Sequence, residues 1–282
     1  MRWELIIILF LVSGCVQVSD ELDWRNAKGD GTFESYENYL IKYPGGRHEA
    51  DAMIAIEDLV WMEVQRSNEI SDFQGYLDMF PGGRYASVAV NNIEDIIWME
   101  VQNSNTERDY GKYLEMYPSG RYASDAKKAG EALIWKQVEK IDTVEIYKAF
   151  LKEFPDGRYE EQARKAIEDI KLEIEKDKAA IKDVLMTQCA AFAARDVDAA
   201  MVTFHPDSDM ASPSSIESLR ETVAATTTLE CEYTIIDVDI GEDRETATVN
   251  LDTKIVLDGR MVGEGQQHWE MKKYNGQWLR FS

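Results

Sequence analysis

Apolar and aromatic positions in the first half of the chain repeat with a helical spacing. Tyr36, Tyr39, Leu40 and Tyr43 fall at i, i+3, i+4 and i+7, one face of an α-helix. The same face returns 37 residues later as Phe73, Tyr76, Leu77 and Phe80, then as Tyr110, Tyr113, Leu114 and Tyr117, and finally as Tyr147, Phe150, Leu151 and Phe154. Each run ends at Pro44, Pro81, Pro118 or Pro155, which disfavours helical geometry at the residue before it. A Gly-Arg pair follows (Gly46-Arg47, Gly83-Arg84, Gly120-Arg121, Gly157-Arg158), where the glycine is expected to permit a tight turn.

A second helix then carries Ala89, Ile93, Ile96 and Ile97 in unit two, continuing to Trp98 and Val101. Trp24, Trp61, Trp98 and Trp135 keep the 37-residue period, and the fourth copy ends it with Leu172 at the expected place. Ala52, Ala89, Ala126 and Ala163 recur in register, as small residues do where helix backbones approach closely. Asn68, Asn105 and Asp142 are expected to cap the first helix of the next unit, and Asp142 with Glu145 has capping-box spacing. A fixed period of this size, built from helix pairs too short to be stable alone, predicts a stacked helical solenoid over residues 21–175.

No Gly or Pro occurs between Tyr159 and Phe204, so the last repeat helix is expected to continue stiffly into the next domain. Ile181, Leu185, Cys189 and Phe192 give another helical stripe. A short helix after Asp196 and a third near Ser214 to Ala225, capped by Ser214 or Ser215, come next. The period then changes to two: Ala247, Val249, Leu251, Thr253 and Ile255 alternate with polar residues. Asp258-Gly259 and Asn275-Gly276 are hairpin signals, Trp269 and Met271 share a strand face, and Trp278, Leu279 and Phe281 close the last strand. Helices followed by an antiparallel meander predict an α+β domain over residues 176–282.

The N-terminus changes the picture of location. An apolar run from Leu5 to Val12 is too short to span a bilayer and leads into Val12-Ser13-Gly14-Cys15, which resembles the lipobox of bacterial lipoproteins, although Glu4 departs from the usual basic start. The resemblance implies a signal peptide over 1–14, lipidation of Cys15, a tether over 15–20, and an exported chain anchored to the cell envelope, at an outer membrane or the outward face of another. Cys189 and Cys231 then remain as an even pair in a disulfide-permissive compartment, able to bridge or to stay as buried thiols.

The repeat pattern resembles the tetratricopeptide-like repeats of barrel-assembly and Tol-Pal lipoproteins. Ala190-Ala191-Phe192-Ala193-Ala194-Arg195-Asp196, Phe204-His205-Pro206 and Tyr274-Asn275-Gly276-Gln277-Trp278 resemble the NTF2-like (SnoaL-like) superfamily. Together these imply an α-helical repeat solenoid followed by an α+β NTF2-like domain with a curved antiparallel sheet.

Charge and chemistry narrow the function. The net charge of -22 and the lack of a clustered basic face argue against nucleic acid as a partner. His48, His205 and His268 have no zinc-ligand spacing, and no phosphate loop or serine elbow is present, so neither metal nor cofactor is expected. Arg47, Arg84, Arg121 and Arg158 form a column that could bind a carboxylate-bearing partner, or else pair with neighbouring acids and cover tyrosines. The NTF2-like resemblance implies a pocket, for which His205, Tyr233, Asp237, Asp239 and His268 are the candidates by residue type, either as acid-base groups or as ordinary strand and core residues. The leading reading is a non-enzymatic scaffold that binds envelope proteins through its repeats, with the C-terminal domain as a second binding module. The alternative is a small-molecule binder or enzyme using the pocket.

Overall fold

The computed structural model describes residues 19–282; the expected targeting segment, Cys15 and most of the expected tether lie outside the described residues. Ser19 and Asp20, expected in the tether, are already helical. This helix, α1, runs through residue 30. Short and long helices then alternate: α2 (Phe33–Lys42), α3 (Glu49–Ser67), α4 (Ile70–Met79), α5 (Ala86–Ser104), α6 (Glu107–Met116), α7 (Ala123–Ile141) and α8 (Val144–Glu153). The chain divides into two compact units at Gly130/Glu131, a point inside α7.

The repeated sequence positions explain the helix pairing. Ala52, Ala89 and Ala126 are fully buried, as their lack of side-chain bulk at a helix crossing requires. In each unit a tryptophan packs on two aromatic residues of the following short helix. Trp61 lies 5.9 Å from Phe73 and 5.1 Å from Tyr76, and Trp98 lies 6.0 Å from Tyr110 and 5.2 Å from Tyr113.

One local expectation is corrected. Asn68, Asn105 and Asp142 do not cap the next helix; they end the preceding one in left-handed geometry, φ 54°, 46° and 53°, a conformation that Asn and Asp tolerate best among non-glycine residues. The N-caps are one residue later, with Thr106 and Thr143 accepting from the backbone N–H groups of Asp109 and Ile146. The freed Asn105 and Asp142 side chains accept instead from Tyr110 and Tyr147 hydroxyls at 2.9 and 3.0 Å. The recurring glycine does sit in a tight turn, with Gly83 N–H donating to the Phe80 carbonyl and Ala86 N–H to the Gly83 carbonyl, but what requires glycine there is space rather than a positive φ. A Cβ on Gly83 would stand 2.5 Å from the Tyr76 hydroxyl and 2.6 Å from the Glu57 carboxylate, so the site requires a residue without one.

In the second unit α9 (Glu160–Ala193) is a single helix of 34 residues that passes unbroken through 175/176, the expected domain boundary. Its first part packs Ala163, Ile167 and Ile170 with Trp135, Tyr147 and Phe150. Its second part packs Ile181, Leu185 and Cys189 against the sheet. After it come α10 (Val197–Met201), a 3-10 turn (Asp209–Ala211) and α11 (Pro213–Ala224). Ser212 caps α11, accepting from Ser215 N–H with Pro213 at the first helical position, so the cap lies earlier than Ser214 or Ser215.

Strands β1 (Leu229–Ile240), β2 (Thr246–Leu257), β3 (Arg260–Tyr274) and β4 (Gln277–Arg280) form an antiparallel sheet in sequential order. The two hairpin signals hold: Asp258 and Gly259 (φ 48° and 75°) and Asn275 and Gly276 (φ 52° and 78°) take the turn geometry that right-twisted strands favour. Period-two alternation puts Ala247, Val249, Leu251, Trp269, Met271 and Trp278 on the buried face. Register shifts at Ile235/Asp237 and Ile255/Val256 mark bulges, which bend a sheet. Cys189 on α9 is bonded to Cys231 on β1, tying helix to sheet.

Candidate functional site

The buried face of the sheet is not filled completely. At the end near the β2–β3 turn, a cavity of about 360 Å³ remains between sheet and helices, at the lower end of ligand-pocket sizes. The helical side supplies Phe192, Phe204, Met210, Leu219 and Val223, and the strands supply Leu229, Tyr233, Ile255, Leu257 and Trp269. The lining is mostly hydrocarbon and aromatic. Its polar members are Tyr233, Arg280, Gln267, Thr222 and Thr253.

Arg280 is the charged group of this lining. Trp278 and Arg280 are two residues apart on β4, so the alternation that buries Trp278 also turns the guanidinium inward. Its Cζ lies 3.4 Å from the centre of the Trp269 ring and 5.2 Å from that of Phe204. One N–H donates to Gln188 Oε1 at 3.2 Å, and Nε donates to the Ser282 carbonyl at 3.4 Å. Gln188, itself fully buried, donates to Thr203 Oγ1 at 2.8 Å, and that hydroxyl donates to the Ala200 carbonyl. No carboxylate side chain among the described residues lies within ion-pair distance of Arg280. Burial pulls its pKa down to about 10, which still leaves a cation at neutral pH.

Tyr233 faces the same space from β1. Its ring meets Trp269 edge-on at 5.0 Å, and burial raises the pKa of its phenol, so the hydroxyl is a neutral donor. Among the described residues no partner for that hydroxyl is found.

Of the residues singled out in the sequence, the cavity receives only Tyr233. Asp237, Asp239 and His268 are exposed strand residues; His268 contacts Asn250 through Nδ1. His205 is buried but serves β4: its N–H donates to the Arg280 carbonyl at 2.7 Å, while Nδ1 accepts from Asp207 N–H and the ring meets Tyr274 and Phe281 edge-on. Among the described residues the lining therefore contains no carboxylate and no imidazole, and no paired acid and base of a proton-transfer site are brought together there.

The arginine column has partners. Arg84 pairs with Glu57 and Asp58 and lies 5.2 Å from the Tyr85 ring; Arg121 pairs with Glu94 at 3.2 Å and Asp95 at 2.5 Å and lies 5.3 Å from Tyr122. Arg158 covers Tyr159 at 5.8 Å, and the Arg47 N–H donates to Asp20. Behind them Glu57 and Glu94, both buried, each accept a tyrosine hydroxyl at 2.7 Å, from Tyr76 and Tyr113, and the following backbone N–H of Arg84 or Arg121. Burial opposes ionisation of Glu94, but the Tyr113 and Arg121 bonds outweigh it and hold its pKa low. Burial and the same carboxylates push the Tyr76 and Tyr113 phenols up to about 12.

No group of three or more metal-ligating side chains occurs among the described residues, and no helix among them is long and apolar enough to cross a membrane.

No family model matches the chain, and no curated protein matches it. Fourteen chains of solved structures do. A Novosphingobium aromaticivorans protein assigned as a scytalone dehydratase is 16% identical over 37% of this chain and 78% of its own, with a TM-score of 0.30. A Mycobacterium tuberculosis protein of unknown function is 16% identical over 41% and 71%, with a TM-score of 0.32. A multiply substituted protein named Rd1NTF2 is 17% identical over 38% and 95%, with a TM-score of 0.29.

Proposed function

We propose that the C-terminal module is an NTF2-like binding domain that holds a small, largely apolar molecule between its sheet and helices, without turning it over. The observation carrying this reading is the cavity itself: an aromatic and aliphatic lining with a few polar groups, and no acid-base pair. In this reading the helix pairs form a tetratricopeptide-like solenoid, and lipid on Cys15 holds the chain at the cell envelope. Isothermal titration of the chain from residue 19 with apolar probes tests the binding function. A matched titration of Val223→Trp, which fills the cavity, should lose the heat of binding; equal binding by this variant would place the ligand elsewhere.

A second reading, docking of envelope proteins on the helices, is supported by exposed methionines that recur with the repeat: Met62 and Met99, and Met79 and Met116, each about half exposed. Flexible thioethers suit adaptable protein contacts. Crosslinking in intact cells with a photoreactive residue at 62 or 99 tests it. Absence of any specific adduct at both positions would dismiss the scaffold role for this face.

A further inference from the structure

We propose that the cavity ligand is a monocarboxylate with an apolar body, its carboxylate seated on Arg280 and the Tyr233 hydroxyl. This rests on the binding function above and names the class of ligand. A guanidinium in an apolar enclosure is costly unless an anion compensates it, and no Asp or Glu side chain among the described residues pairs with Arg280. Arg280 is nevertheless fixed rather than left to find water. Gln188 and the Ser282 carbonyl take two of its five N–H donors, Trp269 covers one face, and Phe204 lies beside it. The remaining three N–H donors lie on the terminal nitrogens, in the fork geometry that matches a carboxylate.

The charge count selects a monoanion. Arg280 is the one cation in the lining among the described residues, so a dianionic phosphate monoester would remain undercompensated, whereas a carboxylate is neutralised by the guanidinium and can take a further bond from Tyr233. The rest of the lining runs from Phe192 and Leu219 to Ile255 and Leu257, and its other polar members, Gln267, Thr222 and Thr253, are uncharged, so a second charged end would find no counter-charge. The ligand therefore enters with an apolar tail or ring system and a single charged head.

The test is calorimetric titration of the chain from residue 19 with decanoate and with 1-decanol, which share a tail and differ in the head. Wild-type protein should bind decanoate roughly tenfold or more tighter than the alcohol, the return expected from charge-assisted bonds in a largely apolar site. Arg280→Gln should abolish that preference and keep alcohol binding. Arg280→Lys, which retains the charge without the fork, should keep part of it. Equal affinities for the two probes in the wild-type protein would overturn the carboxylate seat while leaving the apolar pocket standing, and that comparison needs no folded variant. Binding of neither probe would overturn both the seat and the binding function. An undiminished preference in Arg280→Gln would assign the anion to another group and refute the proposal.

Discussion

Replacing Phe150 with tyrosine should stabilise the unit that contains it. Glu131 stands 37 residues after Glu94 and 74 after Glu57, and is as buried as they are, yet its Oε1 has no hydrogen-bond partner. Two donors are missing at that oxygen, a backbone N–H like that of Arg84 or Arg121 and a tyrosine hydroxyl, and the second is missing for want of one atom. Tyr76 and Tyr113 each present a hydroxyl to their glutamate at 2.7 Å, whereas the fourth unit has Phe150 at that place. The ring is already positioned: Phe150 lies 5.2 Å from Trp135 at 60°, and Tyr113 lies 5.2 Å from Trp98 at 58°. The new hydroxyl would also meet a donor, because the backbone N–H nine residues on donates to it in the earlier units, at 3.1 Å from Tyr85 to Tyr76 and 3.3 Å from Tyr122 to Tyr113.

A bond to a buried carboxylate contributes about 1.5–3 kcal/mol, and removing the orphan acceptor recovers part of a desolvation cost of similar size. Allowing for burial of the added hydroxyl, the expected gain is about 1–2 kcal/mol. Urea unfolding followed by fluorescence should show a higher midpoint for Phe150→Tyr. A cycle with Glu131→Gln should assign most of the gain to coupling between the two residues. A neutral or destabilising Phe150→Tyr, or an equal gain on the Glu131→Gln background, would refute the reasoning.

The converse change, Tyr113→Phe, should cost about 1–3 kcal/mol by stranding Glu94, read from the same urea midpoints; no loss would mean that the Arg121 contacts suffice. Reduction of Cys189–Cys231, which are 42 residues apart, should destabilise the second unit by up to about 4 kcal/mol in the chain-entropy model, measurable as a lower midpoint with reductant and absent in a Cys189→Ala, Cys231→Ala variant. Acid should act through Asp258. Bonds from the Thr227 hydroxyl and the backbone N–H groups of Thr228 and Thr227 lower its pKa to about 2, so its contribution is present above the unfolded value near 3.9 and is lost as pH falls through about 2. Asp258→Asn should therefore be less stable than wild type at neutral pH, with the gap closing towards pH 2. A gap that stays constant across that range would contradict the assignment.

The helical half is legible because its period puts the same residue type in the same environment several times. The alanines at the crossings and the aromatic face of each short helix follow from spacing alone. Cap positions lie one residue later than the pattern suggests, since Asn and Asp serve equally well before a helix and, in left-handed geometry, after one. The hairpins of the sheet are announced by Asp258-Gly259 and Asn275-Gly276. The cavity is harder to see. Choosing candidates by acid-base type selects Asp237, Asp239 and His268, which strand alternation turns outward, and passes over Arg280 because arginine is ordinarily a surface residue. The needed clue is present in Trp278-Leu279-Arg280: a period of two that buries the tryptophan must also bury the arginine. What no local pattern could give is that no Asp or Glu among the described residues pairs with Arg280, which depends on strands and helices distant in sequence.

Helix α9 has a consequence for how the second unit comes apart. One uninterrupted helix supplies a wall to the last helix pair through Ile167 and Ile170, and another wall to the sheet through Ile181 and Leu185. Arg244, in the β1–β2 turn, adds a second tie by pairing with Asp142 and Glu173. A cut near residue 176 would sever the helix that both cores share, so neither piece would keep its full complement of contacts. Hydrogen exchange along α9 should accordingly report a single opening event from one end to the other, and the smallest portable fragment that retains the cavity begins before α8 rather than in the middle of α9.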